Sequence, residues 1–259
     1  MIFLRALPLA LVIWSAKTFS QPKNTMTETF QLKPVGIIHS PYKEKFAVPR
    51  QPGLVPSARA TLALCGDANS PESVRGIEQF SHLWLLFLFD QNLSAGWRPT
   101  VRPPRLGGNE RIGVFASRAT FRPNGIGMSA IQLLEVRQVN GQVFLDLAGV
   151  DLVDGTPVID IKPYIPYSDS LPEAHGGFAA ETPALLPVEF TPQALAKLNG
   201  KDATYHRAVI EEVLAQDPRP AYKKGKNDDK LYGVLLFDYN VQFRYGDNKV
   251  RVEDLASPE

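Results

Sequence analysis

The chain has 259 residues, enough for one large domain or for a medium domain with a smaller one beside it. Apolar residues make up 44% and charged residues 21%, a globular balance that excludes a mostly disordered, collagen-like or multi-span membrane protein. Lys and Arg total 28 against 27 Asp and Glu, so the net charge of +1 announces no polyanionic partner, and the lone Cys65 excludes an internal disulfide, a Cys-rich zinc site and an iron–sulfur cluster.

At the N-terminus, Ala6 to Trp14 form a nine-residue apolar run after Arg5. It is too short to span a bilayer, which takes about 20 apolar residues, and Pro8 and Lys17 disturb the pattern of a secretory signal. Met26 opens a conventional start, so residues 1–25 read as an extension upstream of a mis-assigned start, with a signal or membrane anchor as the other reading.

Strand signals begin at Val35–Ser40 and stop at Pro41. Ala60–Leu64 is a second such run. His82 to Phe89 is apolar on both faces and reads as a central strand, with Trp84 in the core. Asn92 to Asn109 is a loop rich in Gly, Pro and Arg. Arg111–Ser117 and Ile126–Val139 read as strands, and Asn140-Gly141 is a hairpin turn because both residues tolerate positive φ. Val143–Val150 returns from it, and Val158–Ile161 follows the turn at Asp154-Gly155-Thr156-Pro157.

Residues 168–189 are small, polar and proline-punctuated, and read as a linker. Beyond it the period changes. Thr191-Pro192 is an N-cap followed by proline at the first helical position. Tyr205–Gln216 carries apolar residues at helical spacing until Asp217-Pro218 stops it. Leu231–Phe237, Val241–Tyr245 and Val250–Val252 are short strands. The expected fold is mainly β: an antiparallel β domain over 30–167 and a small α+β domain over 190–259.

The chemistry concentrates in Arg98–Arg122, where six arginines accompany one acid, Glu110, giving a local charge of +5 in 25 residues. Interleaved prolines and glycines place these arginines on loops, where binding groups collect over a rigid sheet. Arginine forks suit phosphate and carboxylate oxygens. For Arg98, Arg102 and Arg105 a solvated basic surface is an equal reading. Trp97, beside this loop, is a candidate for lining a pocket. His39 and His82 read as core or edge strand residues. The four histidines show no metal-ligand spacing, so no metal site is expected.

Within this segment Gly113-Val114-Phe115-Ala116-Ser117-Arg118-Ala119-Thr120-Phe121-Arg122-Pro123-Asn124-Gly125-Ile126-Gly127 resembles the signature of the TsaA-like family, most fully its bacterial tRNA methyltransferase branch. Gly36–Gly53, His82–Gln91, Gly96–Gly108, Asp151–Tyr164 and Leu214–Tyr222 are further matching blocks, so the resemblance runs from about Met26 to the C-terminus. Gly125 stands where the family pattern has a proline, a swap the turn is expected to tolerate.

The resemblance implies an antiparallel β-barrel-like domain with a C-terminal extension, working as a homodimer. No glycine-rich fingerprint of the doubly wound methyltransferases is present. It implies methylation of the exocyclic amine of threonylcarbamoyl-adenosine beside the tRNA anticodon, with S-adenosylmethionine as donor, in the cytoplasm and without a metal. It places the donor against Pro49, Arg50, Gln51, Asp90, Gln91, Arg118, Met128 and the turn Leu152, Val153, Asp154, Gly155 and Thr156.

A base is needed for the acceptor proton, and Asp154, Asp160 and Tyr164 are the candidates. Asp154-Gly155 also reads as an ordinary turn, and Asp160 as a partner of Lys162. Arg122 and Asn124 would hold the threonylcarbamoyl carboxylate or the donor, or else cap a turn. Arg219 and Tyr222, with Lys223, Lys224, Lys226 and Lys230, suit an RNA loop, where phosphates are neutralised and a splayed base stacks. A solvated hairpin is the plainer reading there. Two competing functions stand: a non-catalytic RNA- or nucleotide-binding module, and a methyltransferase of the same fold with another acceptor.

Overall fold

A computed structural model describes residues 29–258, so the reading of residues 1–25 lies outside the described residues. From Lys33 onward the chain forms one compact unit. Its barrel strands are β1 (Gly36–His39), β2 (Arg59–Leu64), β3 (His82–Leu88), β6 (Ile126–Val139), β7 (Gln142–Ala148) and β8 (Pro157–Pro163). Between β3 and β6 lie a helical turn, α1 (Asp90–Leu93), and two very short strands, β4 (Thr100–Val101) and β5 (Ile112–Gly113). The barrel closes in the order β1-β2-β7-β6-β3-β8.

Alternation decides which residues fill it. Leu83, Leu85 and Phe87 of β3 point inward, and Gly127, Ser129, Ile131 and Leu133 of β6 do the same. The β6 strand is long because it serves two neighbours. Its first half pairs with β3 and its second half with β7, with a bulge between Leu133 and Glu135. Asn140 (φ 50°) and Gly141 (φ 82°) make the expected hairpin turn into β7.

Two expectations need correction. Trp84 takes an outward position of β3, so its indole Nε1 donates to Asp169 at 3.0 Å outside the core, and its ring packs on Tyr164 at 5.6 Å. The strand expected over Arg111–Ser117 is only β5, followed by a 3-10 turn at Val114–Ala116. The bend is held by Arg122, whose Nη1 donates to the carbonyls of Ser117 (2.6 Å) and Val114 (3.3 Å), and by Ser117, whose hydroxyl donates to the Val114 carbonyl at 2.9 Å.

After α2 (Pro166–Asp169) come β9 (Val188–Phe190), α3 (Pro192–Lys197), α4 (Ala203–Ala215), β10 (Asp228–Leu236), β11 (Tyr239–Gly246) and β12 (Lys249–Ala256). The sheet order is β10-β11-β12-β9, with β9 parallel to β12. Thr191 caps α3, its hydroxyl accepting from the Ala194 amide at 3.1 Å. Val209, Ile210, Val213 and Leu214 of α4 are buried in the core cluster that also holds the barrel residues.

The sheet is joined to the barrel by hydrogen bonds. The Phe237 amide donates to the Pro41 carbonyl (2.8 Å), the Leu235 amide to Glu44 (2.9 Å), and Ser57 donates through its amide and hydroxyl to Glu212 (2.9 and 2.6 Å). Tyr42, 1% exposed, fills the seam. No helix among the described residues is long and apolar enough to cross a membrane.

Candidate active site

A cleft of about 2330 Å³ opens where the arginine-rich loop, the 45–51 loop, the turn after β7 and the segment after α4 converge. Pockets for single small ligands run to about 1,000 Å³, so the cleft has room for two reactants. Each wall is placed by a local device. The 45–51 loop is pinned where the Gly53 amide donates to the Gly149 carbonyl at 2.8 Å. Gly149 has φ 70°, and a Cβ there would lie 3.3 Å from Gly53 Cα. Gly127 leaves space for the Phe87 ring, which would stand 2.4 Å from a Cβ at that position.

Gly125 has φ 61° at its turn, a conformation open to glycine and closed to proline, which is locked near −65°.

The structure brings most of the expected donor-site residues to the cleft: Pro49, Arg50, Gln51, Asp90, Gln91, Arg118, Met128, Leu152, Val153 and Thr156 line it, with Arg122 and Arg219. Arg118 is exposed and its Nη1 donates to Gln51 Oε1 at 2.5 Å, bridging the two loops. Arg122 is occupied by backbone carbonyls and lies over the Phe115 ring at 5.9 Å, so it shapes the loop.

Other expected residues stand elsewhere. Asp154 accepts from the Ser40 amide and from Lys43 Nζ, both at 2.9 Å, and fastens the turn to the end of β1. Asp160 pairs with Lys162 at 2.8 Å. Tyr164 packs on Trp84 and 6.3 Å from the His82 ring. None of these three lines the cleft, and neither do Gly155, Asn124 and Tyr222. The two positions on and after β8 lie along the barrel strand that pairs with β3, not at the rim.

Arg219 is 2% exposed. It donates to both Asp217 oxygens (2.8 and 3.0 Å) and its guanidinium lies 3.7 Å from the Tyr245 ring centre. That commitment removes it from the open surface expected for an RNA contact.

Sequence reasoning missed Asp151 and Ser129. Asp151 lines the cleft three residues after the end of β7, and its Oδ1 is sealed from solvent without a hydrogen-bond partner among the described residues. Burial pushes its carboxyl up to about 6, against hydrogen bonding from Ser129 and its own backbone and the charge of Arg118. Its place in sequence, an acid directly after the strand-like run Val143–Val150, was the available signal. Lys224, Arg50, Arg219 and Arg105 are named separately in sequence, and the fold brings them together: Lys224 is held below its ordinary pKa by desolvation and by Arg50, Arg219 and Arg105, against the pull of Asp217. Arg50 is lowered by desolvation and by Arg105.

The tRNA-methyltransferase O N-terminal domain matches residues 37–170, and the TrmO C-terminal domain matches residues 183–258. The chain belongs to the tRNA-methyltransferase O family. Within this family it is 55% identical, over 85% of its own length and 94% of the relative's, to the tRNA (adenine(37)-N6)-methyltransferase of Escherichia coli. A Pseudomonas aeruginosa relative with the provisional description S-adenosylmethionine-dependent methyltransferase is 47% identical over 88% of this chain. The crystal structure of TrmO from Pseudomonas aeruginosa superposes with a TM-score of 0.73 at 40% identity, covering 89% of this chain and 99% of that one. The closed barrel is therefore the family fold.

Proposed function

We propose that this chain transfers a methyl group from S-adenosylmethionine to the exocyclic nitrogen of threonylcarbamoyl-adenosine at tRNA position 37, beside the anticodon. One observation carries the reading above the others: a single two-reactant cleft gathers Pro49-Arg50-Gln51, Asp90-Gln91, Arg118 and the turn after β7, in a chain 55% identical to an enzyme with that name.

The donor set fits the methyl donor. Arg118 and Arg50 suit its carboxylate, Asp90, Gln51 and Gln91 its hydroxyls and ammonium, and the backbone of Leu152–Thr156 its adenine edge. S-adenosylmethionine supplies an electrophilic methyl on a cationic sulfur. The protein's part is placement, since a methyl transfer needs no covalent enzyme intermediate and alignment of the two reactants supplies much of the rate. Arg122 braces the loop that carries Arg118. Lys224 and Arg105, crowded at the cleft margin, neutralise tRNA phosphates, and the exposed Phe115 ring offers a face for a splayed base. The barrel over 30–167 carries the transfer site and residues 190–259 supply tRNA contacts. The setting we propose is the cytoplasm, with two copies assembled as a homodimer.

The test incubates the full chain with S-adenosylmethionine and tRNA from cells lacking this activity, followed by digestion and mass spectrometry of the nucleosides. A gain of one methyl on threonylcarbamoyl-adenosine is the expected result. Intact donor binding with no methylated nucleoside would move the acceptor elsewhere.

A further inference from the structure

We propose that Asp151 is the proton acceptor of the methyl transfer, a role that rests on the function proposed above. The acceptor nitrogen belongs to a urea, so its lone pair is delocalised and its proton must leave as the new bond forms. In the balanced step the N–H bond breaks and its proton passes to the Asp151 carboxylate. The freed nitrogen pair forms the N–C bond to the methyl group, and the electron pair of the breaking S–C bond stays on sulfur, which becomes neutral.

Geometry selects this residue among the cleft's acids. The Asp217 carboxylate is filled by Arg219. Asp90 on α1 and Glu181 before β9 both sit exposed to water. Asp154 and Asp160 are engaged by Lys43 and Lys162 outside the cleft. Of the cleft's acids, Asp151 alone combines a place on the wall with a buried oxygen, Oδ1, that has no hydrogen-bond partner among the described residues. A buried acceptor without a donor is costly, and an incoming N–H is the group that completes it.

The groups around it keep it usable. Arg118 and Ser129 stabilise its charged form, from the arginine loop and from β6. Tyr42, from the segment after β1, is a buried phenol pushed well above its ordinary value by desolvation first and by Asp151 next, so it stays neutral beside the carboxylate. Tyr205 and Glu212 act on that phenol in turn. With its carboxyl raised to about 6, Asp151 is ionised at neutral pH and a far better base than an ordinary aspartate.

The experiment compares the full-length protein with D151N and D151E in four measurements: donor affinity by calorimetry, single-turnover methylation of threonylcarbamoyl-adenosine tRNA, its pH profile, and thermal stability. Wild type should show a rate that rises tenfold per pH unit and levels off near pH 6. D151N should bind S-adenosylmethionine within about threefold of wild type, lose on the order of 100-fold or more in rate and lose the rising limb. It should also melt higher than wild type above pH 6, which removal of a merely structural carboxylate would not produce. D151E should retain a rising limb at reduced rate. A D151N protein that keeps the rate and the limb, or whose rate falls only because donor affinity falls, overturns the assignment. Wild type that binds the donor and methylates no tRNA overturns the function itself, a result separate from any outcome for the variants.

Discussion

The segment from Asp217 to Asp228 and the cleft wall opposite it are both rich in charge, and they use it in opposite ways. In the first, charges close on one another: Arg219 meets Asp217 and the Tyr245 face, and Lys223 meets Asp228 at 2.6 Å beside the Tyr232 hydroxyl. In the second, groups are left open. Among the described residues Asp151 Oδ1 has no hydrogen-bond partner, and Arg118 reaches across to the neutral Gln51; at the edge of the first segment Lys224 shares this openness, crowded by like charges. The lesson is that a basic or acidic run in sequence becomes a site only where the fold withholds its partners. Closed groups should therefore carry stability, and open groups should carry binding and rate.

The largest test of the closed side is Asp217→Ala. It leaves the Arg219 guanidinium, with a side chain 3% exposed, buried without its carboxylate. Stranding a buried charge in this way costs about 3–5 kcal/mol, to be read as a lowered urea midpoint. A loss under about 1 kcal/mol would mean that the cation–π contact with Tyr245 suffices and the pair is dispensable.

The open side predicts the reverse sign. The folded protein holds the Asp151 carboxyl at about 6, above its ordinary 3.8, so ionisation disfavours the native state. Below the ordinary value both states are protonated and nothing is lost. Between about 4 and 6 the native state loses stability as pH rises, and above 6 the loss is constant, at up to about 3 kcal/mol. Asp151→Asn should remove that loss, so wild type and variant should differ most above pH 6 and converge near pH 3.5 in denaturant titrations. A variant less stable than wild type at pH 7.5 would mean that the carboxylate has a partner and belongs with the closed groups.

The barrel was legible in sequence and this contrast was not. Strand β6 matches its expected limits as a long strand-like run that ends at a hairpin signal, and Asn140-Gly141 and Thr191-Pro192 announce a turn and a cap through their own backbone chemistry. Such signals are local. The state of Asp151 depends on Ser129 and Arg118, which lie 22 and 33 positions away in the chain, and no spacing rule connects them. Arg219 misled for a related reason. Its partner is two residues away across Pro218, but its burial comes from Tyr245, on a strand after two further turns. The arginine loop stood out in sequence by its charge and its prolines and glycines, whereas the different engagements of Arg118, reaching across to Gln51, and Arg122, gripping carbonyls, required the folded loop.

Arg118→Ala sharpens the comparison in binding. Arg118 is exposed and its hydrogen bond is to the Gln51 side chain, so stability should change by less than about 0.5 kcal/mol. Loss of a charge-assisted hydrogen bond to the donor's carboxylate is worth about 1.5–3 kcal/mol, so affinity for S-adenosylmethionine should weaken on the order of 10-fold to 100-fold by calorimetry. Because Arg118 also stabilises the ionised Asp151, the pH at which the rate levels off should move upward in the same variant. Unchanged donor affinity would assign Arg118 to the RNA and leave Gln51 and Arg50 to hold the carboxylate.

The smallest effect separates open cations that face RNA from those that merely face water. Lys224 is crowded by Arg50, Arg219 and Arg105, and its hydrogen bond to the Gln216 carbonyl is long, at 3.4 Å. Like charges held together in this way are relieved by an arriving phosphate, which would restore the depressed pKa of Lys224 toward its ordinary value and release a condensed counterion from the tRNA. Each such contact contributes about one to the slope of log affinity against log salt, less for single-stranded segments. Lys224→Ala should therefore lower the slope for tRNA binding by about one, with stability and donor affinity unchanged, whereas Lys223→Ala, whose charge is already taken by Asp228, should leave the slope as it is. Equal slopes for the two variants would show that phosphate does not distinguish paired from unpaired lysines here, and that the tRNA approaches the cleft from the arginine loop alone.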